Sequence, residues 1–152
     1  MDISLVATDK GDLCREIMGE LPEWFDQPAA NAACAGLVEE LPLFACRSDG
    51  MVAGFAALKQ HAPPAMEIFV IAVRRQFHRR GVGHRLLAAA ADFARNAGCR
   101  LLTVKTLASR GRDEPQYAAT RAFYEGCGFI PAEVFPRLWG EDFPCLFLVK
   151  PL

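Results

Sequence analysis

The sequence predicts an α/β fold, α+β in stricter usage, built as one domain over residues 1–152. Three observations carry this. Apolar, β-branched runs of strand length occur at Leu43–Arg47, Val52–Lys59, Met66–Val73 and Leu101–Leu107. Between the last two, Leu86, Leu87, Ala90, Phe93, Ala94 and Ala97 recur at three- and four-residue spacing, the period of a helix. The chain has 152 residues, 52% of them hydrophobic, which is one domain's length with material for a sizeable core.

The elements follow in order. Residues 3–7 read as a short first strand. Thr8 or Asp9 is placed to cap a helix through Met18, ended by Gly19. Pro22 then interrupts, with Trp24 and Phe25 adjacent to each other. Gln27-Pro28 restarts a helix, proline sitting in its first turn, to about Glu40. Leu43–Arg47 and Val52–Lys59 form a hairpin around Ser48-Asp49-Gly50, in which Asp-Gly is the turn signal. His61-Ala62-Pro63-Pro64 reads as a loop with His61 in solvent. In the strand Met66–Val73, strict alternation sends Glu67, Phe69, Ile71 and Val73 one way, and Met66, Ile68, Val70 and Ala72 the other. A helix over Val82–Ala97, closed by Gly98, leads to the strand Leu101–Leu107, where Lys105 and Thr106 are the polar exceptions. Ala108–Gln116 reads as a polar loop and Tyr117–Cys127 as a helix. Phe129–Val134 and Cys145–Lys150 are the last strands, separated by an aromatic and proline-rich loop that contains Trp139.

The turn His78-Arg79-Arg80-Gly81-Val82-Gly83 lies in the stretch Met66–Leu107 that organises the chain. It lies between an apolar strand and a helix start, where backbone N–H groups have no intrahelical partner and the helix dipole is positive. Gly81 and Gly83 let a bulky anion approach the backbone, and Arg79 and Arg80 supply charge suited to phosphates. A plain surface turn with a helix cap is the other reading of these residues. The P-loop pattern does not fit, because His84-Arg85 follow Gly83 where Lys-Ser/Thr is needed. Nor does the dinucleotide fingerprint, whose third glycine would fall at Leu86.

Composition narrows the function classes. A formal charge of -1 argues against a dedicated nucleic-acid binder. The basic residues gather locally at 74–85, which suits a small anionic ligand. Six cysteines, Cys14, Cys34, Cys46, Cys99, Cys127 and Cys145, form no C-x-x-C pair and no zinc spacing. They read as small buried hydrophobes in a reducing compartment, and no metal is expected. The N-terminal residues lack a signal-peptide pattern, and no run approaches the ~20 apolar residues of a membrane span. A cytoplasmic protein without a membrane partner is the expectation.

The segment Ala65–Leu87 resembles the acetyl-CoA-binding motif of the GNAT N-acetyltransferase superfamily: an apolar strand ending in a valine, here Val73, then Gln/Arg-x-x-Gly-x-Gly/Ala opening a helix. His78 stands where that family usually has Gln or Arg. Ala122-Phe123-Tyr124-Glu125-Gly126-Cys127-Gly128-Phe129 is similar to a second motif of the family, at the right distance. The resemblance implies a mixed, mostly antiparallel twisted sheet of about seven strands with helices on both faces, in the order β-α-α-β-β-β-α-β-α-β-β. It implies acetyl-CoA as co-substrate, held by Ile71, Ala72, Val73, His78, Arg79, Arg80, Gly81, Val82, Gly83, His84 and Tyr124. It further implies that the strands before and after the central helix splay to admit the pantetheine arm. The acceptor would be a small-molecule or peptide amine, with homodimers common in the family.

Two residues are candidates for chemistry. Glu67 is the one charge in a central apolar strand, where a carboxylate is costly unless exposed, paired or functional. It is the candidate general base, acting directly or through water. A primary amine (pKa near 10.4) attacks only after losing a proton. An arginine-paired strand-edge carboxylate is the other reading of Glu67. The resemblance places Tyr124 near the cofactor sulfur as the acid that protonates the leaving thiolate, and backbone N–H at Val73 as the group polarising the thioester carbonyl. Trp24, Phe25 and Tyr117 are candidate acceptor-wall residues. The other reading of the aromatic pair is a plug at the end of the core, and Tyr117 stands where the family often has a cofactor-contacting Asn. A non-catalytic acyl-CoA-binding module and a protein with another phosphate ligand are the rival functions.

Overall fold

The computed structural model describes residues 1–152. Its strands are β1 Asp2–Leu5, β2 Leu43–Ser48, β3 Met51–Ala62, β4 Ala65–Val73, β5 Leu101–Leu107, β6 Ile130–Phe135 and β7 Cys145–Pro151. Its helices are α1 Lys10–Gly19, α2 Pro28–Leu37, α3 Val82–Asn96 and α4 Pro115–Gly126. The strands form one sheet in the order β1-β2-β3-β4-β5-β7-β6. Only β4–β5 is parallel. These two strands are joined through α3, and a parallel pair needs such a crossover, whereas the antiparallel hairpins need only turns.

The sheet is covered on both faces. On one, Leu87, Ala90 and Ala94 of α3 and Tyr124 of α4 pack on Met66, Ile68, Leu102, Val104 and Leu148. On the other, Cys14 and Ile17 of α1, Ala35 of α2 and Val38 pack on Leu43, Phe55, Ala57, Val70 and Ala72. The alanines on α3 allow the helix axis close to the sheet; of the apolar stripe read from the sequence, Leu86, Leu87, Ala90 and Ala94 are buried, Phe93 is half-buried, and Ala97 beyond the helix end is exposed.

Several boundaries differ from the sequence reading, each for a local reason. The second helix stops at Leu37 and tightens into a 3-10 turn over Val38–Glu40. Leu41 must be extended because Pro42 follows, and its φ of -110° and ψ of 151° are extended. His61 is not in a loop. The β3–β4 ladder continues through Gln60↔Met66 to Ala62↔Ala65, so the turn is only Pro63-Pro64 and His61 belongs to a strand.

The strict alternation expected in β4 fails at one residue. Ala57 pairs with Val70 and Leu58 with Ile68, so Phe69 is an extra residue in a bulge. The bulge shifts the parity. Met66 and Ile68 face α3, while Val70 and Ala72 face α1 and α2.

The end of β4 is pinned by charge. Arg74 is buried, donates from Nε to the Val52 carbonyl at 2.6 Å, and pairs with Glu16 at 3.2 Å and with Glu20. Arg75 pairs with Glu23 at 2.5 Å. These contacts fix the C-terminal end of α1 over the end of β4.

Candidate active site

The site begins as a fork. β4 and β5 pair only from Ala65↔Leu101 to Ile68↔Val104. Past that point β4 stays with β3 as far as Val73↔Gly54, and β5 stays with β7 as far as Leu107↔Cys145. The facing edges of β4 from Phe69 and β5 from Lys105 are left unpaired, so their amides and carbonyls need partners from elsewhere. The space between opens into a cavity of about 1290 Å³, larger than the ~300–1,000 Å³ of most single-ligand pockets.

At the outer end of the fork lies the basic turn. Arg79 (φ 61°) and Gly81 (φ 82°) are left-handed, and α3 starts immediately after. The first helical bond is from Arg85 N–H to the Gly81 carbonyl at 3.1 Å, so the amides preceding Arg85 at the start of α3 have no intrahelical partner. Left-handed residues beside a helix start make an anion-binding concavity. His78 is oriented by donating from Nε2 to the Val73 carbonyl at 2.7 Å. His78, Arg79, Gly81, Val82, Gly83 and His84 line the cavity, as do Ile71, Ala72 and Val73. Arg80 does not. Its guanidinium lies 3.7 Å from Asp49 and over the Phe77 ring, pointing to the β2–β3 turn.

Gly83 has a tighter constraint than ligand approach. A Cβ there would come within 2.9 Å of Phe123 Cζ. The Phe123 ring stands edge-on to His84 at 5.1 Å and tilts against Tyr124 at 5.5 Å. Helix α3 therefore meets α4 through a side chain that also lines the cavity.

Tyr124 lines the same cavity while its residue is only 4% exposed. Burial pushes its phenol well above the ordinary tyrosine range. The group therefore remains a proton donor across the neutral range.

The far wall comes from the α1–α2 connection. The indole N–H of Trp24 is shared between the Gln116 carbonyl (3.2 Å) and Thr120 Oγ1 (3.1 Å) of α4. The Tyr117 hydroxyl donates back to the Trp24 carbonyl at 3.1 Å. Trp24 also meets His78 edge-on at 5.8 Å. This strap spans the fork from the basic turn to α4. Trp24, Phe25 and Tyr117 all line the cavity, with Trp139 and Phe143 from the β6–β7 loop. Tyr117 thus spends its hydroxyl on holding the wall. Arg110 ties the loops after β5 and β6 together, pairing with Glu114 at 2.7 Å and donating to the Asp142 carbonyl at 2.5 Å.

Glu67 is not among the lining residues. Its side chain is 7% exposed, and both oxygens are taken: His61 Nε2 lies 2.7 Å from Oε1, and Lys105 Nζ donates to Oε2 at 2.6 Å. Lys105 does line the cavity. Sequence reasoning passed over His61 and noted Lys105 only as a polar exception. A lysine within an apolar strand that follows the carboxylate's strand by one helix was the available signal.

The model of the acetyltransferase (GNAT) family matches residues 12–129. The chain belongs to the GNAT acetyltransferase family. No curated protein sequence matches it. Among solved structures, a protein assigned to the GNAT family from Desulfovibrio desulfuricans aligns with a TM-score of 0.82 at 22% identity, over 99% of this chain and 98% of that one. A GNAT acetyltransferase from Elizabethkingia anophelis with acetyl-CoA bound gives 0.76 at 16% identity, over 99% and 97%. The ribosomal-protein-S18-alanine N-acetyltransferase of Escherichia coli gives 0.74 at 24% identity, over 99% and 92%. At these identities the likeness is one of fold. The GNAT sheet expected from the motifs, seven-stranded, mostly antiparallel and covered on both faces, is the sheet found, and the fork between β4 and β5 is present. No helix is long and apolar enough to cross a membrane.

Proposed function

We propose that this GNAT domain transfers an acetyl group from acetyl-CoA to a primary amine, by direct attack in a ternary complex. The observation that carries the reading is the fork. It joins a helix start with free amides at its outer end to a buried, cavity-facing tyrosine, and it leaves strand edges unpaired between them. A pyrophosphate fits the first, and the amides of a pantetheine arm fit the edges. The volume leaves space for a second molecule. The acetyl-CoA-bound relative of the same fold supports the same occupant here.

The chain's residues then divide the work. The turn from His78 to His84 binds the phosphates, Arg79 adding charge. Backbone N–H on the free edge of β4, near Val73, polarises the thioester carbonyl. Trp24, Phe25 and Tyr117 wall the acceptor. The ammonium loses a proton, the free amine forms the new bond to the carbonyl carbon and the C–S bond breaks; the thiolate sulfur takes the Tyr124 proton, and the phenolate recovers one as the new amide nitrogen sheds its second. Glu67 is a base for the amine. It does not line the cavity, so the proton reaches it through a group that does.

The test is a thermal unfolding scan with acetyl-CoA and with ADP at equal concentration, followed by a thiol-release assay on a panel of primary amines. Acetyl-CoA at ~100 times its Kd should add about 2.7 kcal/mol of stability, and more than ADP adds. Thiol release dependent on one of the amines completes the reading. Absence of a shift at millimolar acetyl-CoA would remove it. A shift without turnover on any amine would leave an acyl-CoA-binding module.

The wall has its own prediction. Trp24→Phe removes both indole hydrogen bonds and keeps an aromatic, smaller, ring at the position. It should raise the KM for the amine several-fold and leave acetyl-CoA affinity near the wild-type value, measured by initial rates and calorimetry. An unchanged KM would take Trp24 out of the acceptor wall.

A further inference from the structure

The carboxylate of Glu67 sits between two groups that belong to different compartments. Lys105 is the first β5 residue beyond the last β4–β5 pair, Ile68↔Val104. Its ammonium therefore stands at the apex of the fork, on the cavity surface, with 27% of its side chain exposed. His61, on the strand at the other side of β4, has 43% of its side chain exposed and does not line the cavity. The bridging distances are 2.6 and 2.7 Å, one to each carboxylate oxygen. Holding a carboxylate at this depth is costly, and its two partners offset that cost. Packing alone would be served as well by an apolar side chain.

We propose that Lys105, Glu67 and His61 form a proton exit path from the acceptor amine to bulk water. This rests on the acetyltransferase reading and supplies its missing step. Lys105 Nζ first passes a proton to Glu67 Oε2, turns the lone pair this frees toward the cavity, and takes a proton from the acceptor ammonium. The N–H electron pair stays on the acceptor nitrogen, which then attacks. A half-turn of the carboxyl group presents the proton to His61 Nε2, and the imidazole, open to solvent, gives a proton to water. Lys105 and Glu67 return to their starting charges, and one proton leaves per acetyl group transferred. The other groups facing Glu67 do not complete a second route. Lys59, its partner across β3, extends its Nζ to 6.0 Å from the Phe69 ring centroid. Thr103, opposite on β5, has a hydroxyl that neither gains nor loses a proton near neutrality. Cys145 on β7 is a buried thiol whose pKa burial raises to about 11, with Lys105 and Glu67 both acting on it.

In this path Lys105 touches the substrate, while Glu67 and His61 act through it. The experiment uses the full chain and the fastest amine of the panel. His61→Ala is made at a half-exposed position. It should lower kcat measurably, by less than the ~10²–10⁴-fold of a positioned general acid or base because solvent can still reach Glu67 slowly, with little change in either KM. Free imidazole at tens of millimolar should restore kcat in a saturable manner, more strongly at the pH where imidazole is a base. Lys105→Met and Glu67→Gln should lose more activity and gain nothing from imidazole. Wild-type rates for His61→Ala, or a loss that imidazole does not restore, would overturn the path. A Lys105→Met variant that raises only the amine KM would also overturn it, making Lys105 an anchor for the acceptor. A wild-type protein that turns over no amine would remove the acetyltransferase reading itself, and the path with it.

Discussion

Gly83→Val should abolish the stabilisation that acetyl-CoA gives the wild-type chain, and should weaken its binding by more than about tenfold, which is ~1.4 kcal/mol. Two effects of the valine act together. Its branched side chain occupies the space over the α3 amides, and its Cβ collides with Phe123, 2.9 Å from Cζ and 3.3 Å from Cε1. Phe123 cannot yield without disturbing His84 and Tyr124, against which it packs. Overpacking of this kind costs about 1–3 kcal/mol, so the variant should also melt lower than wild type. Calorimetry with acetyl-CoA and a denaturant titration separate the two losses. The double variant Gly83→Ala with Phe123→Leu relieves the collision. Recovered stability with weak binding assigns the glycine to ligand approach, and recovery of both assigns it to helix packing. Wild-type acetyl-CoA affinity in Gly83→Val would remove the phosphate turn from the site.

Tyr124→Phe should reduce kcat about 10²-fold, the lower end for a positioned general acid, while acetyl-CoA affinity stays near wild type. The ring remains, so its edge-on contact with Phe129 at 5.6 Å is kept. Only the proton is lost. The same residue gives a pH signature. Burial disfavours the phenolate and raises the folded-state pKa, so the folded chain holds this proton at a pH where the unfolded chain, near pKa 10, has released it. Stability from this group is complete below about pH 10 and falls as pH rises above it. Tyr117, also raised by burial, contributes in the same direction. Denaturant titrations between neutral and strongly alkaline pH should therefore show a shallower alkaline loss in Tyr124→Phe than in wild type. Equal losses, or unimpaired turnover, would take the phenol out of this role.

The sequence by itself determined the elements and the basic turn before α3. Periodicity marks α3 because a helix buries one stripe, and Gly81, Gly83 and the arginines mark the turn because local backbone needs are written in residue type. The Asp-Gly turn and the two family motifs likewise act over a few residues, so they are legible without knowing what packs where. What depends on contacts between distant segments was not. The bulge at Phe69 exists only relative to β3, and it overrides an alternation that the strand's own residues satisfy. The limit on Gly83 is set by Phe123, and the use of the Tyr117 hydroxyl by Trp24. The same holds for Glu67. A charge in an apolar strand announces that some partner exists, but that partner was expected to be an arginine or the substrate. Tertiary structure made it a lysine on one neighbouring strand and a histidine on the other, because strand pairing, and not sequence distance, decides which side chains meet across a sheet.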